Sequence, residues 1–157
     1  MAGRMVPEGG WQNRLKPVRT PRVKVDRHRQ FIKSLPCICC MIERGAEIQA
    51  DDPMHIRSAS QLHGKDETGG GRTADDRWTL PGCRMHHDEQ HRGDELAFWQ
   101  AIGIDPFLLA LVLWGLTGNY YAAVLVMREH VARVARSKPW TKEKLCQMLP
   151  DELREHS

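Results

Sequence analysis

Cys37-Ile38-Cys39-Cys40 and, after 42 intervening residues, Cys83-Arg84-Met85-His86-His87-Asp88-Glu89-Gln90-His91 decide how this chain is read. Between Cys37 and His91 lie four of its five cysteines and five of its eight histidines. The first stretch holds a Cys-x-x-Cys, and the second a Cys-x-x-His and a His-x-x-x-His that share no residue. Two ligand pairs from separate segments are how small domains close a tetrahedral zinc site. Cys37, Cys40, Cys83 and His86 give a Cys₃His set whose soft thiolates suit Zn²⁺. For the fourth position Cys39 and His63 are alternatives; Cys39 otherwise reads as a packed thiol, and Cys146 as a core residue of a last helix.

His87 and His91 form the second device. At i and i+4 they share one helix face, with Cβ atoms about 6 Å apart, near enough to hold one ion. His86 lies about 100° round the helix from His87 and serves the other metal. A two-histidine site leaves positions open for water and phosphate oxygens, as metal-assisted hydrolysis requires. The ion expected there is Mg²⁺ or Mn²⁺.

A length of 157 residues and a hydrophobic fraction of 41% fit one domain with tails. The net charge is only +3, but residues 1–30 carry eight Lys or Arg against Glu8 and Asp26. We read residues 1–25 as an unstructured basic arm in which Arg14, Lys16, Arg19, Arg22 and Lys24 meet a polyanion backbone. No apolar leader opens the sequence, and the ten-residue apolar run Phe107 to Leu116 is too short to cross a bilayer. With cysteines spaced as metal ligands, this points to a cytoplasmic protein with reduced thiols and no membrane partner.

Local signals sketch the rest. Asp26 to Leu35 is expected to be a helix capped by Asp26 and ended by Pro36, with Cys37 to Cys40 a thiolate knuckle. Ile48 to Ile56 suggests a strand broken at Asp51-Asp52-Pro53. Gly69-Gly70-Gly71 with Arg72 marks a mobile loop, and Arg77 to Leu80 a strand anchored by Trp78 and stopped by Pro81-Gly82. His86 to Arg92 is expected to be helical with Gly93 as its C-cap, and Asp94 to Ile102 to continue it. Asp105-Pro106 starts a buried helix, Phe107 to Leu116. A turn at Thr117-Gly118-Asn119 precedes a helix from Tyr120 to Arg136, stopped by Pro139, and Thr141 caps a last one to Leu149.

On Cys37-x-x-Cys40, His55 and Leu80-Pro81-Gly82-Cys83-x-x-His86-His87, the chain resembles the HNH (ββα-metal) endonucleases of the zinc-knuckle type. His86 stands where that family usually has Cys. More narrowly, Phe31-Ile32-Lys33-Ser34-Leu35-Pro36-Cys37, His55-Ile56-Arg57, Asp76-Arg77-Trp78-Thr79-Leu80-Pro81-Gly82-Cys83, His86-His87 to His91, and Phe98-Trp99 through Gly103-Ile104-Asp105-Pro106 are similar to the phage and prophage group that includes the recombination enhancement function nuclease. The resemblance implies a ββα-metal core, DNA as substrate, a phage-related origin and a recombination protein or filament as further partner. It makes His55 the general base, a role that neutral imidazole suits near pH 7. Arg57, two residues on, would contact the scissile phosphate.

Two departures stand out. Met54 occupies the place where many such enzymes have a third metal ligand, and it cannot ligate a hard cation. The Asn that orients the base is missing, and Asp76 (or Asp75) is the candidate for that role. The expected fold class is therefore α+β: a small zinc-stabilised HNH core over residues 26–95, with a helical extension over 96–157 packing on it. The expected function is metal-dependent DNA cleavage. The alternative is a non-catalytic zinc-knuckle protein that binds DNA or assists recombination.

Overall fold

The computed structural model describes residues 22–68 and 73–137. Of the expectations above, those for Arg14, Lys16, Arg19, the tri-glycine loop with Arg72, and the last helix with Cys146 lie outside these residues. Within them the protein is a mixed α+β fold of six helices and one two-stranded sheet. No single described helix is long and apolar enough to cross a membrane.

The first helix, α1 (Asp26–Ser34), is capped by Val25 and not by Asp26, which sits in the first turn. There an acidic side chain meets the positive end of the helix dipole. Pro36 ends α1 as expected, but Cys37 does not begin a bare knuckle. It is the N-cap of α2 (Ile38–Arg44), which closes on Gly45 in the left-handed conformation. Every residue from Leu35 to Met41 is buried, so tertiary burial drives a seven-residue helix too short to persist alone.

The antiparallel sheet pairs β1 (Asp52–His55) with β2 (Thr79–Gly82), matching Pro53 with Pro81 and His55 with Thr79. Both strands run through the prolines expected to stop them. Ile56 N–H donates to the Trp78 carbonyl. Counting back in twos along the ladder puts Pro53 and Pro81 on a non-hydrogen-bonded pair, where a missing N–H costs nothing. Gly82 is also required sterically, because a Cβ there would overlap the buried Met54 side chain.

From β2 the chain turns at Cys83 into α3 (Arg84–His91), which starts two residues earlier than expected and ends at Arg92; Gly93 takes no part in the cap. A separate helix, α4 (Glu95–Ile102), begins at Asp94, whose carboxylate accepts from the Leu96 and Ala97 amides. Gly103 closes it at φ 90°, a left-handed conformation that favours glycine. Asp105 caps α5 (Pro106–Gly115) through the Phe107 and Leu108 amides, with Pro106 in the first turn. Such a cap contributes about 1 kcal/mol. The core is contiguous: α1 packs on both strands, α5 on β2 and α2 on α6 (Tyr120–Ser137). Trp99, Leu109, Leu113 and Met127 are fully buried within it, and the helical extension is thereby joined to the cysteine- and histidine-rich part by one core.

Candidate functional site

Packing of α2 against the start of α3 brings the four expected soft ligands together. The ligand atoms of Cys37, Cys40, Cys83 and His86 all lie within 4.8 Å of one another. His86 Nδ1 is 3.5 Å from the Cys37 sulfur, 3.5 Å from that of Cys40 and 3.2 Å from that of Cys83. The Cys40 and Cys83 sulfurs are 3.7 Å apart. Three sulfurs and one imidazole nitrogen at these separations form a closed group able to hold a metal ion, and the donor set is that of structural zinc. His86 is fully buried, and its other nitrogen, Nε2, lies 2.9 Å from the Glu43 carboxylate. A carboxylate behind a ligating histidine fixes its tautomer and raises its basicity.

The thiols differ in character. The neighbouring Cys39 thiol lowers the Cys37 pKa, against burial, and is itself raised by Cys37 and by burial. Burial, then the Cys37 charge, pushes Cys40 up to about 12. Cys39 is fully buried and stands outside the four-ligand group. His63 does too: it bonds Ser60 at 2.9 Å, faces Asp105 at 3.6 Å and stacks on Phe107.

On the next residue of α3 the second pair points elsewhere. His87 and His91 bring their Nε2 atoms 3.2 Å apart, a spacing at which two imidazoles share one cation. Partial desolvation, then the charges of Arg57 and His87, lowers the His91 pKa and favours the neutral form a ligand needs. His87 Nδ1 is buried without a hydrogen-bond partner among the described residues. The Asp52 carboxylate lies 3.8 Å from it, placed to take its N–H once the opposite nitrogen binds an ion.

His55, at the end of β1, keeps 17% of its side chain exposed and sets Nε2 3.0 Å from Asp76 Oδ1. Asp76 is fully buried. It also accepts from the Val25 amide at 2.7 Å and from Arg22 Nη2 at 3.0 Å, with Arg29 Nε at 3.5 Å. Burial lowers the His55 pKa, and the Asp76 hydrogen bond and charge only partly offset it. The Asp76 carboxyl sits below its usual range: burial raises it, but bonds from His55, Val25 and Arg22 outweigh that. Between the two acidic candidates, Asp76 therefore reaches His55, while Asp75 holds the Val23 amide and Arg77.

Arg22 corrects the arm. Its guanidinium also approaches His55 Nε2 to 3.5 Å, and Val23 and Val25 bond to the Asp75-Asp76 turn. Residues 22–25 thus form part of the site, and Lys24 alone among them is exposed. Arg57 is placed differently again, with Nε 3.8 Å from the buried Glu95 and Nη2 3.5 Å from the Gln90 carbonyl. Sequence reasoning missed Glu43, Gln90 and Glu95. Glu43 lies one helical turn beyond Cys39 and Cys40, a signal that reads only once α2 is known to be a helix.

The chain is 37% identical over 87 residues to the Escherichia coli (strain K12) protein described as "Uncharacterized protein YdfU", an alignment covering 55% of this chain and 21% of that protein. The match thus takes in about a fifth of that relative's length. No solved structure matches. Residues 7–114, which include every ligand and candidate catalytic side chain described above, match the family described as "Protein of unknown function (DUF968)", and the chain belongs to that family.

Proposed function

We propose that this protein is a zinc-stabilised, metal-dependent DNA endonuclease of the HNH type. The observation that carries this reading is the convergence on α3, β1 and β2 of three separate devices: a closed Cys₃His group, an open histidine pair, and a histidine backed by a buried carboxylate. Cys37, Cys40, Cys83 and His86 hold structural Zn²⁺, which ties α2 to the start of α3. His87 and His91 would hold Mg²⁺ or Mn²⁺, and an ion bound there supplies Lewis-acid stabilisation of phosphate charge.

The chain's own groups do the rest. Asp76 takes the Nε2–H of His55 and fixes the tautomer. The remaining ring nitrogen accepts a proton from water as the water oxygen bonds to phosphorus and the bond to the leaving oxygen breaks. Arg57, with 38% of its side chain exposed, and Arg22 contribute positive charge beside the scissile phosphate. Lys24, with Arg14, Lys16 and Arg19, adds grip on the backbone that weakens with salt. The resemblance to the phage nuclease group supports DNA as substrate and a recombination protein as partner.

One observation favours a second reading, a non-catalytic zinc-knuckle protein that binds DNA or assists recombination. Met54 is fully buried against Gly82 and offers no third ligand. Nicking of supercoiled plasmid by the purified full chain with Mg²⁺ or Mn²⁺, lost in His55→Ala, separates the two. Wild-type protein that loads zinc, binds DNA and never nicks it supports the second.

A further inference from the structure

Glu95 and Gln90 form a buried polar node that ties the exit of β1 to α3 and α4. Glu95, the first residue of α4, is 5% exposed, and Gln90 on α3 is fully buried. The Glu95 carboxylate accepts from the Arg57 amide at 2.9 Å, the Ser58 amide at 2.6 Å, the Ser58 hydroxyl at 2.5 Å and Gln90 Nε2 at 2.7 Å. Gln90 gives its other N–H to the His55 carbonyl, 3.0 Å away. Its two N–H groups are therefore both used, one on each side of the gap. Lys65, 4% exposed, caps the same turn by donating to the Arg57 carbonyl at 3.0 Å.

The placement matters more than the number of bonds. Gln90 lies three residues after His87 and one before His91, so it is fixed in the turn of α3 that carries the open histidine pair. Its amide grips the backbone of His55, and Glu95 grips the two residues that follow. A buried carboxylate is costly unless fully bonded, and here its bonds are spent on the exit of β1.

We propose that Gln90 and Glu95 are positioning residues, which set His55 in register with the ion held by His87 and His91. This rests on the nuclease reading above. The general base and the ion would have to act on one water and one phosphate together. A displacement near 1 Å between them costs about 100-fold in rate while leaving each able to bind its own partner.

The test uses the full chain with Gln90→Met, which keeps side-chain length and removes both donors, and Glu95→Gln as a second variant should the first not fold. Plasmid nicking gives kcat and KM, free-Mn²⁺ electron paramagnetic resonance gives ion affinity, and thermal melting gives the folded fraction. The expected result is kcat per folded molecule down about 100-fold in Gln90→Met, with KM and Mn²⁺ affinity within about threefold. A lowered melting temperature with unchanged kcat would make the node merely structural and overturn the inference. So would a loss of Mn²⁺ affinity parallel to kcat, which would put its role in building the ion site. Wild-type protein that fails to nick DNA overturns the nuclease reading itself, and this inference with it; wild-type cleavage matched by the variants overturns the inference alone.

Discussion

His86 faces the three cluster sulfurs with Nδ1 and Glu43 with Nε2, the latter contact 2.9 Å long. One ring thus joins a prospective ion to a carboxylate on α2. We expect one zinc per chain, bound so that its binding energy is largely folding energy. Cys83→Ser should lose zinc and cooperative melting together. Glu43→Gln should keep both but weaken zinc about 10- to 100-fold, the usual effect of removing such a partner; competition with a chromophoric chelator measures it. Zinc should also be lost as pH falls, because protons compete for the thiols.

The His55–Asp76 pair gives a pH prediction with a definite sign. His55 titrates below its ordinary 6.5, and the base must be neutral. Cleavage should therefore rise with pH along an acid limb lying below 6.5 and be flat above it until another group titrates. In Asp76→Asn the stabilisation of the imidazolium by the carboxylate is gone. The limb should move to still lower pH while kcat falls. An acid limb that moves upward would show that Asp76 does not face the base in the working enzyme. His55→Ala should abolish cleavage and leave zinc content and DNA affinity near wild type.

Truncation separates the basic arm from the strap formed by residues 22–25, which bonds the Asp75-Asp76 turn. Removing residues 1–21 should lower DNA affinity and flatten its salt dependence, with kcat nearly intact. Removing residues 1–25 also takes away Arg22, Val23 and Val25, which bond Asp75 and Asp76. It should then lower kcat and thermal stability as well. Equal kcat in the two truncated proteins would deny the strap any part in the site.

His28 supplies an acid-sensitive element away from the metals. Thr117 spends its hydroxyl proton on the Trp114 carbonyl and so accepts from His28 Nδ1 at 2.7 Å. His28 Nε2 is buried without a partner among the described residues, and protonation there would strand a charge. Burial accordingly lowers the His28 pKa to about 4. Folded His28 then binds its proton less readily than unfolded His28. The stability it contributes is complete above pH 6.5 and lost between 6.5 and 4, about 3 kcal/mol at most. Urea melts should show a steeper loss across that window in wild type than in His28→Gln.

Gly82→Ala should cost about 1–3 kcal/mol, the range for overpacking a filled core, because its methyl would meet the Met54 side chain. Urea melting checks this directly, and the double variant Gly82→Ala with Met54→Ala should lose less stability than the sum of the two single losses.

Cysteine and histidine spacing revealed the closed Cys₃His group, and put His87 beside His91, because ligand pairs leave a local repeat that survives in one dimension. Asp105-Pro106 revealed the start of α5 for the same reason, since a cap and its proline are neighbours. The strands were harder. Proline reads as a stop unless the register is known, and the register that excuses Pro53 and Pro81 exists only once both strands are paired. Arg22, Glu43 and Glu95 are single charges whose meaning comes from partners 33 to 54 positions away or from an unrecognised helix. No spacing rule could have found them.

His86 and His87 are adjacent in sequence, yet one belongs to the closed group and the other to the open pair. A single peptide unit therefore separates the ligands of the two proposed centres, which couples their positions. Occupancy of the first should tighten an ion at the second, and by thermodynamic reciprocity the second should tighten the first by the same factor. If both proposed centres are occupied in the working protein, zinc starvation would then appear as a rising Mn²⁺ requirement in step with a falling melting temperature.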